Sequence, residues 1–531
     1  MNRLLVLIHI AFMLISCSTQ PNLNDKKAFK YNASNGITSL DPAFARNQDN
    51  IWACNLLFNG LVQTDSLLHV IPAIAKSWEI SKDGLQYTFH LRDSVFFHRN
   101  KVFKKGQSRK VVAGDFVYSF NRIIKPETAS PGAWIFNGRI EKDGFKAPND
   151  HTFVILLTKP FPPLLGMLTM PYCFVVPKEA VALYGKDFGL HPVGTGPFVF
   201  KEWHESIKLN LLKNEGYFES SAARPIPQLD AISISFIQSK HTEFMELIQG
   251  RLDMLNGIES SFKDEVLTPD GRLQDRYAKD FYLVKSSFLN TEYLAFQVNE
   301  GANKSIVTDV HFRKALHYAI DRKQIVRYLR NNVGVPANGG FIPAGIPGYD
   351  ESANEYPFDL TKAKEELAKS AYKKGQKVTL YTTKDYLDIC LLVQKQAESI
   401  GIAMKVEVLP SSLLKTEKSE GRLEMFRASW IADYPDAENY LSCFITSNKA
   451  PAGPNYTRFS SALYDSIYTQ SLLVTDDHER IVLYQKMNQM LTSSSVIIPL
   501  FYDQSIRIYR KNIRNMQHDA LNSLNLKYAG K

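Results

Sequence analysis

Apolar and polar positions alternate at period two along Tyr87-Thr88-Phe89-His90-Leu91-Arg92. A half-buried strand has this pattern because its successive side chains point to opposite faces. The period then changes: Ala113, Phe116, Val117, Phe120, Ile123 and Ile124 fall at helical spacing and predict a helix with one face packed on a sheet. Ile232, Ile234 and Phe236 alternate with Ser233 and Ser235, and Phe244, Leu247 and Ile248 follow at helical spacing before Gly250, a good helix stop. Further on, Val378 and Leu380 mark a strand, Ile389, Leu392, Val393, Ala397 and Ile400 a helix closed by Gly401, and Ile402, Met404, Val406 and Val408 a second strand. Such a βαβ unit forces its strands parallel through a right-handed crossover. It lies far downstream of the earlier strand and helix pair, so two separate α/β lobes are expected.

Between them, Phe312, Ala315, Leu316, Ala319 and Ile320 form one helical stripe, and Leu360, Ala363, Leu367 and Ala371 another behind the N-cap candidate Asp359. Both predict helices with one core face. From Pro336 to Pro357 the Pro and Gly punctuation, including Gly339, Gly340, Pro343, Gly345, Pro347 and Gly348, predicts a long loop, and long loops in compact domains are often functional.

Composition sets the scale. The 531 residues suffice for two or three domains, and 44% apolar residues suffice for a core in each. A net charge of +9 is too diffuse to argue for nucleic acid, and fits solubility with some affinity for anionic lipid. At the N-terminus Arg3 precedes an apolar run from Leu4 to Ile15, broken only by His9, and Ser16-Cys17 follows. This is the build of a secretory signal. Leu14-Ile15-Ser16-Cys17 resembles a bacterial lipobox, in which Cys17 is diacylated and becomes the first residue of the mature chain. Residues 1–16 are then the signal peptide and 17–28 a lipidated tether. No later stretch approaches about 18 consecutive apolar residues, so lipid would make the membrane contact. Cys54, Cys173, Cys390 and Cys443 form no C-x-x-C pair and are expected to be buried thiols.

The sequence lacks G-x-S-x-G, H-E-x-x-H, a P-loop and G-x-G-x-x-G, so no catalytic residue, metal ligand or cofactor is assigned. Gly194-Thr195-Gly196-Pro197 is expected to be a rigid turn, since Pro197 removes an N–H that a phosphate loop would use. His311 and His317 are six residues apart and sit on different faces of a helix, as surface or hydrogen-bonded groups. Asp476-Asp477 and Glu365-Glu366 suit solvated faces.

One segment is chemically dense: Arg427-Ala428-Ser429-Trp430-Ile431-Ala432-Asp433-Tyr434-Pro435-Asp436. If it is extended as far as Ala432, Arg427, Ser429 and Ile431 face one side, Ala428, Trp430 and Ala432 the other, and Pro435 ends the strand. A carboxylate just past a strand end, beside an indole, suits an ammonium group. The same residues also fit a Trp in the core beside an internal pair of Arg427 and Asp433.

The chain resembles the periplasmic solute-binding lipoproteins of dipeptide and oligopeptide ABC importers over nearly the whole mature length. The resemblance rests on landmarks in order: Ser39-Leu40-Asp41-Pro42-Ala43; Leu57-Phe58-Asn59-Gly60-Leu61; Pro72 to Trp78 with Asp83-Gly84-Leu85; Ala113 to Phe120; Gly194 to Phe198; Phe312 to Leu316 with Ile320-Asp321-Arg322; and Trp430 to Asp436. It implies an α/β, two-lobed periplasmic binding protein type II-like fold with an extra α+β subdomain inserted in lobe one. Lobe one would comprise 29–60, 186–285 and 500–531, the insertion 61–185, and lobe two 286–499. It further implies a monomer on the periplasmic side of the cell envelope that holds an extended peptide between its lobes and delivers it to the permease subunits of an ABC importer. Asp433 would receive the peptide ammonium, Trp430 and Ala432 would line the same cleft, and Arg427 would take the C-terminal carboxylate. Peptide-binding members often carry Glu where this chain has Asn59, a departure that removes an anion near the ligand. Relatives of this fold also carry nickel complexes, haem or oligosaccharides, which remain alternatives. An exported hydrolase is the competing class and lacks a nucleophile motif.

Overall fold

A computed structural model describes residues 27–259, 262–298, 305–353 and 356–531. The expected signal peptide, Cys17 and the tether up to residue 26 lie outside the described residues.

The chain opens with β1 (Ala28–Asn32) and α1 (Gln48–Leu57), the latter capped by the Asn47 side chain, which accepts from the N–H of Asn50. An insertion follows. Its strands β2 (Ala75–Ile80), β3 (Gln86–Leu91), β4 (Ile140–Asn149) and β5 (Thr152–Leu157) form an antiparallel sheet in the order β2-β3-β5-β4. The helix α2 (Ala113–Ile124) turns Phe116 and Phe120 onto Phe145 and Phe153 of that sheet, as its apolar spacing predicts. The main body resumes with β6 (Phe198–His204), β7 (Lys208–Lys213) and β8 (Ala231–Ser235), in a sheet ordered β1-β8-β7-β6. There β1 runs parallel to β8, with Phe29 opposite Ile232. Ser239 caps α3 (Lys240–Ile248), and Gly250 follows in the left-handed region.

A further sheet is built from β9 (Met254–Asn256), β10 (Phe281–Phe296), β11 (Lys377–Thr382), β12 (Ala403–Val408), β13 (Met425–Ile431) and β14 (Ile497–Arg510). They join in the order β9-β14-β10-β13-β11-β12. The expected βαβ unit is present: β11 and β12 are parallel, with Val378 opposite Met404, and α4 (Leu387–Glu398) connects them. The two long antiparallel strands β10 and β14 join the halves of the molecule. Their pairing runs from Phe281 opposite Arg510 to Ala295 opposite Ile497 and breaks register between Ser287 and Thr291. A bulge there bends and twists the crossing.

Burial follows the alternation along these strands. Leu294 and Met425 enter one core of the second lobe, and Tyr293, Phe426 and Ala428 enter the core on the opposite face. The first core holds Phe29 and Trp52 together with the inserted sheet, and also Leu524, Leu526 and Ala529 from the far end of the sequence. The Leu360 stripe forms a helix, Leu360–Lys369, capped by Asp359; Ala363 is buried and Leu367 half-buried against the second lobe's core, while Leu360 is exposed. Cys54, Cys173, Cys390 and Cys443 are buried free thiols. Among the described residues no helix is long and apolar enough to cross a membrane.

Candidate functional site

The Gly194-Thr195-Gly196-Pro197 turn lies against the C-terminal end of α1. A Cβ on Gly194 would fall 2.0 Å from the Leu57 carbonyl oxygen, and one on Gly196 2.4 Å from the Leu57 carbonyl carbon, so only glycine permits this approach. The Gly196 N–H donates to the Leu57 carbonyl over 2.9 Å. Buried His98 clamps the turn from the other side: the Gly194 N–H donates to Nδ1 over 3.3 Å, leaving Nε2–H to donate to the Gly196 carbonyl over 3.0 Å. That geometry needs a neutral imidazole, and burial pushes the His98 pKa down to about 4. Held in this way, Thr195 donates to the Asn59 Oδ1 over 3.0 Å, and Asn59 donates to the Tyr217 hydroxyl over 3.4 Å.

Asn59 and Tyr217 line one side of a cavity of about 450 Å³. Its walls come from α1 and the segment after it, from residues 169–174 of the insertion, from the end of β13, and from residues 519–527. This is within the usual range for small-ligand sites, about 300–1,000 Å³. Ala432 and Asp433 line the same cavity. The strand end is anchored there: the Ala432 N–H donates to the Leu289 carbonyl over 2.9 Å, and Leu289 donates to the Ala520 carbonyl over 2.8 Å.

The two acids of the Ala432 to Asp436 segment have different fates. Asp436 is engaged by the Tyr484 hydroxyl at 2.8 Å and the Glu438 N–H at 2.9 Å. Asp433 makes no ion pair among the described residues, and the Asn439 amide is its side-chain partner. Solvent reaches its carboxylate from the cavity, yet protein crowds it closely enough that desolvation raises its pKa, with Asn439 opposing. Asp433 is therefore an anion whose charge is only partly compensated.

Two expected site residues stand elsewhere. Trp430 does not line the cavity: it packs against the second lobe's core, and its indole N–H donates to the Asn439 Oδ1 over 2.9 Å. It positions the residue that touches Asp433. Arg427 is buried and ion-paired with Glu292, with its guanidinium over the Tyr386 ring, and it too is absent from the cavity wall. The role expected for it, receiving a ligand carboxylate, is corrected accordingly, because that charge already has a partner.

Sequence reading missed Arg46, Tyr172, Asp519 and Lys527, all of which line the cavity. No motif or period marks them, since they come from three separate stretches. Burial first, then the negative charge of Asp433, pushes the Tyr172 pKa up to about 12, while Arg46 pulls it down. Among the described residues no group of three or more His, Cys, Asp or Glu is arranged to hold a metal ion.

Two α/β lobes tied by a strand pair and enclosing a ligand-sized cavity have the architecture of a type II periplasmic binding protein. Residues 69–452 match the family described as bacterial extracellular solute-binding proteins, family 5 Middle. The chain belongs to that family. It is 28% identical over 517 residues to the periplasmic oligopeptide-binding protein OppA of Escherichia coli, covering 92% of this chain and 89% of that protein. It is 26% identical over 507 residues to heme-binding protein A of Haemophilus influenzae, covering 91% and 89%. Among solved structures, the periplasmic binding protein DppA from Helicobacter pylori in complex with the peptide STSA superposes with a TM-score of 0.73 at 26% identity, covering 95% of this chain and 98% of that one.

Proposed function

We propose that this protein is an extracytoplasmic receptor that captures peptides in extended form and delivers them to the permease of an ABC importer. Asp433 carries the reading. It is an anion without an ion-pair partner among the described residues, on the wall of the cavity between the lobes, and a peptide ammonium supplies the missing charge. Lobe one comprises residues 29–60, 186–285 and 500–531, with 61–185 inserted, and lobe two comprises 286–499. Contacts from both lobes stabilise the shut form, and the permease recognises that form. No bond is made or broken, so the protein is not an enzyme. The receptor is a monomer held to the membrane by lipid on Cys17.

The resemblance to peptide binders supports this cargo, and the likeness to a haem binder makes the acid, and not the fold, the deciding feature. The test is calorimetric titration with tri-alanine and N-acetyl-tri-alanine. Marked loss of affinity on acetylation is expected, and equal affinity removes the assignment. Mass spectrometry of ligand co-purified without refolding should give peptides; a sugar or haem would overturn the reading.

A further inference from the structure

Four charged residues line the cavity: Arg46, Asp433, Asp519 and Lys527. Two of them are engaged by the protein. Lys527 is buried and donates to Glu219 over 2.7 Å and to Gln63 over 2.8 Å. Asp519 accepts the Ser523 N–H over 3.0 Å and lies in the field of Arg507. One cation and one anion remain. Arg46 is exposed, immediately before the N-cap of α1, and forms no side-chain hydrogen bond or ion pair among the described residues. Asp433 faces the same cavity from the other lobe, and Tyr172 stands within the field of both.

An acid and a base left uncompensated in one cavity, with a phenol near both, suit a guest carrying both charges. We infer that Arg46 receives a ligand carboxylate, so that the preferred cargo is a peptide whose ammonium rests on Asp433 and whose carboxylate reaches Arg46. This rests on the peptide reading above and adds a second anchor to it. The planar guanidinium can take a carboxylate through two parallel hydrogen bonds. The carboxylate is either the C-terminus of a short peptide or an acidic first side chain.

The experiment is calorimetric titration of the purified protein, Arg46→Ala and Arg46→Lys with tri-alanine, tri-alanine amide and Glu-Ala-Ala amide, all with free amino ends, and with N-acetyl-tri-alanine as the control that lacks the ammonium. The unsubstituted protein should bind at least one carboxylate-bearing ligand about tenfold or more tighter than tri-alanine amide, the scale of one charge-assisted contact. Preference for tri-alanine assigns the C-terminus, and preference for the Glu peptide assigns the side chain. Arg46→Ala should abolish the preference and Arg46→Lys retain part of it, while both keep the penalty for N-acetylation. A general pull of the net +9 chain on anions would instead survive Arg46→Ala and be screened alike by salt in both proteins. Equal binding of all three ligands, or a preference that persists in Arg46→Ala, overturns the inference. Indifference to N-acetylation overturns the peptide reading and this inference with it; an acetylation penalty without carboxylate preference overturns only the role of Arg46.

Discussion

Arg427 and Glu292 form an ion pair between neighbouring strands of the second lobe, closed off from the cavity. Asn290 donates to the other carboxylate oxygen over 3.0 Å, and Tyr386 lies beneath the guanidinium. Burial raises the Glu292 pKa and the charge of Arg427 opposes it. Removing one partner leaves an unpaired buried charge, so Glu292→Gln should cost about 3 to 5 kcal/mol of stability. Urea unfolding measures this, and a loss under about 1 kcal/mol would show that the pair is not closed off as described.

Asp433→Asn should weaken binding of peptides with free amino ends by about 2 kcal/mol, the low end for a charged pair because solvent still reaches this carboxylate. Affinity for N-acetylated peptides should change little. If the substitution weakens both ligand sets alike, Asp433 shapes the wall without contacting the ammonium.

Affinity should also depend on pH. In the free receptor the Asp433 pKa is raised, and an ammonium in contact favours the ionised form, so binding lowers that pKa. Affinity is then fully present above the raised free-state value and is lost as pH falls from it through the lower bound-state value. On the alkaline side it falls once the peptide amine deprotonates, near about 8. Titrations from pH 4 to 9 should give a bell that flattens on its acid limb in Asp433→Asn; an unchanged limb would assign the acid dependence to another group.

His98 links stability to pH in the same direction, through folding instead of binding. Its folded pKa is pushed down to about 4 from an unfolded value near 6.5, so the unfolded chain takes up the proton first. Its contribution to stability is intact above about 6.5 and declines toward pH 4, by up to about 3 kcal/mol. Comparing unfolding at pH 7, 5.5 and 4.5 with His98→Gln isolates this from the buried carboxylates. The variant should be less stable at pH 7 and lose less on acidification, whereas parallel profiles would mean that His98 keeps its ordinary pKa in the fold.

Much of the architecture was readable because it is written in local periods. The helix at 113–124 and the βαβ unit from Val378 to Val408 form where their spacing marks them, and the segment carrying Arg427 is extended as its reading supposed. Reading failed where the partner is remote. Nothing near Arg427 announces Glu292, which lies 135 residues earlier, and nothing near Trp430 shows that its indole is taken by Asn439. The Leu360 stripe has helical spacing and its Ala363 and Leu367 do meet a core, but a period cannot say where along the stripe that contact stops, and Leu360 is exposed. The cavity was the least legible part. Arg46, Tyr172 and Lys527 are ordinary residues in ordinary contexts, and they acquire a role only by converging. Asp433 was singled out by its neighbourhood, but that it and not Asp436 lacks a cation partner follows from the remote Arg480, whose guanidinium lies 3.8 Å from the Asp436 carboxylate.

The return of the chain to its starting lobe reverses the order in which the two halves can be finished. The buried residues of the second lobe's clusters end at Phe501, with Ala520 and Leu521 packed against one of them, whereas the first requires Leu524, Leu526 and Ala529, and Trp52 donates to the Asn522 carbonyl over 2.8 Å. A polypeptide emerging amino end first has therefore produced nearly all of its later lobe's core while the earlier one still lacks its last pieces, and only the final stretch of synthesis completes the half that was begun first.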